Sequence, residues 1–442
     1  MDRMRAAILS IGDELVLGQN LDTNSQWLAD RLLERSIEAA EHRTIADDRT
    51  AIAASIRQLA LRADLLIITG GLGPTADDLT RHALGDVLTP GEALERDPAA
   101  TVHLEAIYAR RPTPMPPSNR VQTMRPRGTA FLPNPHGTAM GIAGALGGCR
   151  VYCLPGPPRE MQPMFRDHVA PRLELRGEAT VLRAAAVHQV GMGESHAAEL
   201  LGEMMARTSD PLVGTTVKDA IVTARVRASG PAERAERSVA ETVAEIERRW
   251  QPYAFGRDEV TLPNAVGQLL RERGLTLATA ESCTGGLLGS LIVSAAGSSD
   301  YYRGGWIAYD SAMKTSQLGV PARLLDQHGA VSEAVARAMA EGARQAAGTS
   351  LAAAITGIAG PGGATGAKPV GLVFIAVSTS AGDTSATSVR RFEFRGDREQ
   401  VRDRSAQCAL QMIRFALLGV ADDIALLWET PHATRTEGAA RR

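Results

Sequence analysis

Two stretches of this chain carry side chains that could do chemistry. The first is Ala278–Gly286 (ATAESCTGG), followed downstream by Tyr309 and Lys314. It sets Ser282 where an apolar run meets a pair of glycines, a place where a strand passes into a helix and exposes its hydroxyl. Gly285 and Gly286 let a substrate approach the backbone. The helix start adds oriented N–H groups that can hold a phosphate or a developing oxyanion. A serine needs a base, and Lys314 can serve. An ammonium desolvated among apolar neighbours loses its proton, whereas a guanidinium does not in practice. Lysine is rare here: Lys218, Lys314 and Lys368 stand against a Lys+Arg total of 48. An arginine-favouring genome would give the same bias. Ser282 beside Lys314 fits an amide hydrolase, with Tyr309 as a possible relay. A lone serine before two glycines is more often a turn or cap residue, and Cys283 is a rival nucleophile without a histidine partner. A second Gly-rich strand end follows at Thr356–Gly363 (TGIAGPGG).

The other stretch is Ile67–Thr80 (IITGGLGPTADDLT), a buried strand running into Gly70, Gly71, Gly73 and Thr75 and then a helix. Backbone N–H groups and the positive helix end suit a phosphate there. Asp77 and Asp78 suit a hard divalent cation or a base, or else simply favour a helix N-terminus. The polar run Gly12–Asn24 (GDELVLGQNLDTN) adds Glu14 and Asp22 as second-choice metal ligands and Asn24 as a ligand contact. Both clusters follow strands, so they fall at the carboxyl edge of a parallel sheet.

The elements that must position these groups alternate. Strands are expected at Arg5–Ile11, Asp64–Thr69 and Cys149–Leu154, and helices at Thr23–Arg35 (capped by Thr23 or Asn24) and Asp77–Val87. That rhythm implies a mostly parallel sheet covered on both faces. Pro112–Pro117 reads as a surface loop. From Val181 to Trp250 the pattern becomes a small α+β insert, with strands Ala184–Val190 and Ala220–Ala228 and helices Ser195–Arg207 and Pro231–Arg249. Gln251–Pro263 reads as a linker. A second α/β segment follows, with a helix at Asn264–Arg273, strands at Thr276–Ala280, Ala352–Thr356 and Gly371–Val377, and a long helix at Arg398–Leu418. The domains are therefore 1–175, 176–252 and 260–422, with a disordered polar tail at 428–442.

At 442 residues, two or three domains are expected. A net charge of −2 gives no global reason to bind nucleic acid or an anionic membrane. No signal peptide and no apolar stretch of membrane-spanning length is found. Four sparse cysteines fit a reducing cytoplasm, with Cys149 and Cys153 as ordinary buried thiols.

Residues 262–420 closely resemble the nicotinamide-nucleotide amidase domain that closes proteins of the CinA (competence/damage-inducible) family. The likeness runs through Ala280–Gly286, Tyr309–Lys314, Gly329–Glu333, Thr356–Gly363, Lys368–Gly371 and Gly396–Arg398. It implies hydrolysis of nicotinamide mononucleotide to nicotinic acid mononucleotide and ammonia, without a cofactor. Ser282 would be the nucleophile, with Tyr309 and Lys314 activating it. Thr284, Gly285, Gly286, Thr356, Gly357, Gly360, Gly362 and Gly363 would surround the substrate, with Arg398 or Arg402 on its phosphate. Residues 5–170 resemble the molybdopterin-binding-like α/β/α domain that opens these proteins, down to Asn134–Thr138 and Leu154–Met161, although Met140 replaces the usual proline. That likeness implies a metal-dependent pyrophosphatase acting on ADP-ribose. The middle segment is similar to the family's small KH-like insert, marked by Val190–Ser195 and Lys218. It lacks a Gly-x-x-Gly clamp loop for RNA, so domain packing or dimer contact is expected of it. Lys218 could reach a phosphate in a neighbouring site. A cytoplasmic homodimer is the resulting expectation. Its rivals are a molybdopterin-handling N-terminus and a competence or DNA-damage binding protein with vestigial sites.

Overall fold

In a computed structural model, which describes residues 4–173, 181–381 and 384–430, the apolar runs become the inner strands of three separate sheets. The chain forms two compact units. One comprises residues up to 184 with 228–237; the other comprises 185–227 and residues from 238 onward.

The first unit is built on β1 (Arg5–Ile11), β2 (Glu38–Ile45), β3 (Leu65–Thr69), β6 (Ala130–Leu132), β7 (Gly141–Leu146) and β8 (Cys149–Leu154), in the order β2-β1-β3-β8-β7-β6. A short ribbon of β4 (Glu95–Arg96) and β5 (Met124–Arg125) lies apart from it. Strands β1, β2, β3 and β8 run parallel, and β7 and β6 are antiparallel. β3 is buried at every residue, as a central parallel strand requires. Helices α1 (Asp13–Val16), α2 (Thr23–Leu33), α3 (Arg49–Ala60), α4 (Thr80–Leu88), α5 (Pro98–Tyr108) and α6 (Pro158–Met164) connect the strands. Two apolar clusters form the core. One holds Leu9, Ile56, Leu66, Ile68 and Leu84, the other Ile8, Leu28, Leu65, Ile67 and Phe165.

Two of the differences from expectation have a local cause. The cap of α2 is Asp22, whose carboxylate accepts the Ser25 N–H at 2.9 Å, instead of Thr23 or Asn24. Helix α4 starts at Thr80 instead of Asp77, because the Asp78 carboxylate is turned back onto the loop before it.

The insert contributes β9 (Val181–Val190), β10 (Leu212–Lys218), β11 (Ile221–Gly230) and β12 (Ala254–Arg257), ordered β10-β11-β9-β12, with α7 (Glu194–Leu201) and α8 (Ala232–Trp250). Its strand β10 was not foreseen, and β12 lies inside the stretch expected to be a linker. β12 pairs antiparallel with β9 and buries Phe255, so its backbone is committed to a sheet. Lys218 is exposed where β10 and β11 meet, paired across the hairpin with Ile221.

The third sheet comprises β13 (Leu277–Glu281), β14 (Tyr302–Ile307), β15 (Leu351–Gly357), β16 (Leu372–Ala381) and β17 (Thr384–Glu393), in the order β14-β13-β15-β16-β17. The first three are parallel; β16 and β17 are added antiparallel. Around it lie α9 (Leu262–Glu272), α10 (Leu287–Ser294), α11 (Ser311–Leu318), α12 (Ala322–His328), α13 (Glu333–Ala347) and α14 (Arg398–Leu418). Helix α14 opens on a capping box, Asp397 with Gln400. The first residues of the expected tail are held in the fold: the Trp428 carbonyl accepts the Glu393 N–H, and Glu429 pairs with the buried Arg390 at 3.1 Å. The rest of that tail, 431–442, and the 175/176 boundary lie outside the described residues. No helix among the described residues is long and apolar enough to cross a membrane.

Candidate active site

β13 is buried throughout and flanked by β14 and β15, so its carboxyl end is held from both sides. One residue beyond it, the Ser282 N–H donates to the Ile355 carbonyl at 2.9 Å, which fixes the serine at the sheet edge. The chain then turns through Gly285 (φ 61°) and Gly286 (φ 95°), conformations that a Cβ would strain. Glu281, only 2% exposed, directs its carboxylate at the start of α10 and accepts the N–H groups of Gly286, Leu288 and Gly289 at 3.0, 3.0 and 2.8 Å. Those amides were expected to face a phosphate or oxyanion. They are instead occupied by the protein's own carboxylate, a partner the sequence run contains but does not announce.

Helix α11, capped by Asp310 through the Ala312 N–H, carries Lys314 toward the serine. The Lys314 Nζ lies 3.2 Å from Ser282 Oγ, 2.7 Å from the Ala308 carbonyl and 3.1 Å from the Tyr309 carbonyl. Its side chain is 1% exposed. Burial pushes the Lys314 ammonium below its ordinary value of 10.5, against the opposing pull of Asp310. A neutral amine has two N–H bonds and one lone pair. As an ammonium, Nζ donates to Ser282 Oγ and to both carbonyls; once neutral, it would keep the two carbonyl bonds and turn its lone pair to the serine hydroxyl. Tyr309 points elsewhere: it is 60% exposed, and its hydroxyl accepts from Arg398 Nη2 at 3.2 Å. The rival nucleophile is quiet, because burial raises the Cys283 thiol to about 12.

Ser282, Tyr309 and Lys314 line one cavity of about 250 Å³ with Thr356, Gly357, Gly360, Gly362, Gly363 and Arg398. Thr356 is fixed by its hydroxyl on the Ala330 carbonyl at 2.8 Å, and Arg398 by the Gly360 carbonyl at 2.7 Å. Ala330 and Val331, from the loop before α13, complete the wall; nothing in their residue types announced it. Thr284, Gly285, Gly286 and Arg402 fall outside this lining. The Arg402 guanidinium holds the Thr284 carbonyl at 2.9 Å, so it braces the turn instead of facing a phosphate.

A second cavity, about 360 Å³, opens at the carboxyl edge of β1 and β3 in the first unit. Gly70, Gly71, Gly73, Asp77, Asp78 and Glu14 line it, as expected, while Thr75, Asn24 and Asp22 do not. Asp78 accepts the Gly73 N–H at 2.7 Å, the Thr75 N–H at 2.8 Å and the Thr75 hydroxyl, which leaves it little capacity for a cation. Asp22 is spent on Ser25, and Asn24 Nδ2 donates to the Gly156 carbonyl at 2.7 Å. Asp47, Gln122 and Glu160 line it unforeseen. Asp47 follows β2 at the same sheet edge, a position the topological rule could have flagged. Burial, with Asp13, Asp77 and Glu14 nearby, raises its carboxyl above the usual range. Among the described residues, no three His, Cys, Asp or Glu side chains are grouped so as to hold a metal ion. The expected metal therefore has no ready-made ligand set here. Cys149 and Cys153 are buried free thiols, raised to about 11 and about 12.

The arrangement is that of a modular α/β protein with a molybdopterin-binding-like sheet, a KH-like insert and a separate α/β domain around a serine–lysine pair. Residues 7–175 match the family described as "Probable molybdopterin binding domain", residues 186–256 the damage-inducible protein CinA KH domain, and residues 259–417 the CinA C-terminal domain. A relative from Symbiobacterium thermophilum is 44% identical over 429 residues, covering 95% of this chain and 100% of its own. A CinA-like protein of Citrifermentans bemidjiense is 41% identical over 415 residues, 94% of this chain and 98% of its own. A solved competence/damage inducible protein of Agrobacterium tumefaciens is 35% identical, over 36% of this chain and 93% of that one, with a TM-score of 0.34. The chain belongs to the CinA family.

Proposed function

We propose that the C-terminal domain is a metal-free amide hydrolase that converts nicotinamide mononucleotide to nicotinic acid mononucleotide and ammonia. The single observation that carries this is the Lys314 amine, desolvated and 3.2 Å from Ser282 Oγ with both neighbouring carbonyls taking its N–H bonds. Lys314 takes the serine proton as Oγ bonds to the carboxamide carbon. The resulting ammonium returns that proton to the nitrogen as the C–N bond breaks, and ammonia leaves. Water, deprotonated by the same amine, then cleaves the Ser282 ester, releasing the carboxylate and restoring the serine. The oxyanion formed in each half needs donors. The Cys283 and Thr284 amides, which precede the Glu281-occupied ones, are the candidates to supply them. Arg398 in the wall offers the positive charge for the substrate phosphate.

The test is ammonia release from nicotinamide mononucleotide by wild type and by Ser282→Ala, with and without chelator. Turnover that survives chelator and vanishes in Ser282→Ala is the expected result; no ammonia from the folded wild type sinks the proposal.

A second activity, cleavage of the diphosphate of ADP-ribose, is favoured for the first unit by its Gly-rich, carboxylate-lined cavity at the sheet's carboxyl edge. Its test is AMP release from ADP-ribose across a divalent-metal titration, with no AMP under any metal counting against it.

A further inference from the structure

Two hydrogen bonds fix Tyr309 along the wall of the C-terminal cavity. Its carbonyl accepts from Lys314 Nζ at 3.1 Å, and that Nζ lies 3.2 Å from Ser282 Oγ, so the main chain of Tyr309 stands at the reacting end. Its hydroxyl accepts from Arg398 Nη2 at 3.2 Å, at the other side of the cavity. Tyr309 therefore spans the wall between the serine and the arginine. It is tethered at both ends yet 60% exposed, which leaves ring surface for a ligand.

Nicotinamide mononucleotide is charged at two places: its phosphate is an anion, and its quaternary ring nitrogen makes the pyridinium a cation. With the carboxamide at Ser282 and the phosphate at Arg398, the ring between them lies beside Tyr309. Among the described residues no Asp or Glu lines this cavity to meet that cation. Glu281, Asp310 and Asp397 adjoin wall residues in sequence, but each is turned onto backbone N–H groups, of α10, of Ala312 and of Gln400. Tyr309 is also the one aromatic residue in the lining. The π-face of a tyrosine is electron-rich and attracts a cation within about 6 Å of the ring centre.

We propose that Tyr309 selects the charged ring, its π-face taking the pyridinium cation of the substrate. The inference rests on the amidase reading of this site. It adds what the serine–lysine pair does not supply, a reason to prefer a cationic ring over a neutral aromatic amide.

Titration calorimetry on the full chain carrying Ser282→Ala, which blocks turnover, compares nicotinamide mononucleotide with its neutral isostere, the benzamide nucleotide with carbon in place of the ring nitrogen. The charged ring should bind about two- to fivefold more tightly, the size of a cation–π contact at a partly exposed ring. Adding Tyr309→Phe should keep that preference, because the ring stays, whereas adding Tyr309→Leu should erase it. Equal affinities in the parent, or a preference that survives Tyr309→Leu, overturns the inference. Phenylalanine fluorinated stepwise and placed at position 309 withdraws charge from the π-face with little change of shape, so the preference should shrink with each fluorine. A preference indifferent to fluorination overturns the inference, whatever the fold of the leucine variant. Ammonia release by wild type, followed separately, distinguishes the two claims. Ammonia without ring-charge preference ends the role given to Tyr309 and leaves the amidase standing; preference without ammonia supports that role while ending the amidase assignment.

Discussion

Replacing Lys314 by methionine separates the base from the rest of the site. The thioether fills the same buried space but accepts no proton from Ser282 and donates nothing to the Ala308 and Tyr309 carbonyls. A positioned general base contributes about 10²–10⁴-fold, or about 3–5 kcal/mol of barrier. Loss of kcat by that factor is expected in the ammonia-release assay, with KM little changed because the Arg398 side of the cavity is untouched. The pH profile carries the sharper signature. Only the neutral amine is competent, and burial lowers the pH at which it forms, below 10.5. Wild-type kcat/KM should climb about tenfold per pH unit and level off below that value, while residual Lys314→Met turnover should lack this limb.

Stability gives a second readout. Between the lowered folded value and 10.5 the unfolded chain binds more protons than the fold, so wild-type stability rises with pH across that window. Below the window the penalty of the buried ammonium is constant. The methionine variant lacks this dependence, so any stability advantage it has at pH 7 should shrink as the pH is raised toward 10. A methionine variant within tenfold of wild-type kcat, or one with an unaltered pH limb, would refute the assignment of Lys314 as the base.

Other outcomes follow from the same geometry. Tyr309→Phe removes a hydroxyl that contacts Arg398, not Ser282; KM should rise by up to about tenfold while kcat stays within about threefold, measured by steady-state kinetics. Glu281→Gln leaves an amide facing three backbone N–H groups that a carboxylate now satisfies, and denaturant unfolding should show a loss of about 2 kcal/mol with a fall in kcat. Because burial holds the Cys283 thiol near 12, ammonia release should survive iodoacetamide at pH 8, and rapid inactivation through Cys283 would count against its placement. Gly137→Ala drives a Cβ to 1.9 Å from Glu160 Oε2, so the first unit should lose about 1–3 kcal/mol while amidase turnover persists.

Much of this molecule is legible along the chain. Continuous apolar runs such as Leu65–Thr69 and the Ala-rich start of β15 announce the central parallel strands, because burial on both faces leaves no polar position to blur them, whereas the inner antiparallel strand β7 was not foreseen. Helix α14 keeps the expected bounds, Arg398–Leu418, because its start is signed locally by Asp397 and Gln400. Elements stabilised mainly by partners far away in sequence were missed. The edge strand β14 alternates half-buried and exposed residues around two glycines, and β12 is a four-residue strand made by its pairing with β9.

The division is the same at the sites. Residue type alone made Ser282 and Lys314 candidates, since only certain side chains can lose or take a proton near neutrality. Which of Tyr309 and Lys314 meets the serine depends on the path of the chain between β14 and α11, and that path puts the amine, not the phenol, on Oγ. Carboxylates are equally ambiguous in sequence. Glu281, Asp22 and Asp78 read as free acids, yet each is consumed by backbone N–H groups that folding brings to it. Asp47 and Gln122, unremarkable where they stand, become cavity walls. A sequence determines which groups can react. Tertiary structure decides which remain free to do so, because a buried donor or acceptor left unsatisfied is costly, and the partners that satisfy it come largely from distant parts of the chain.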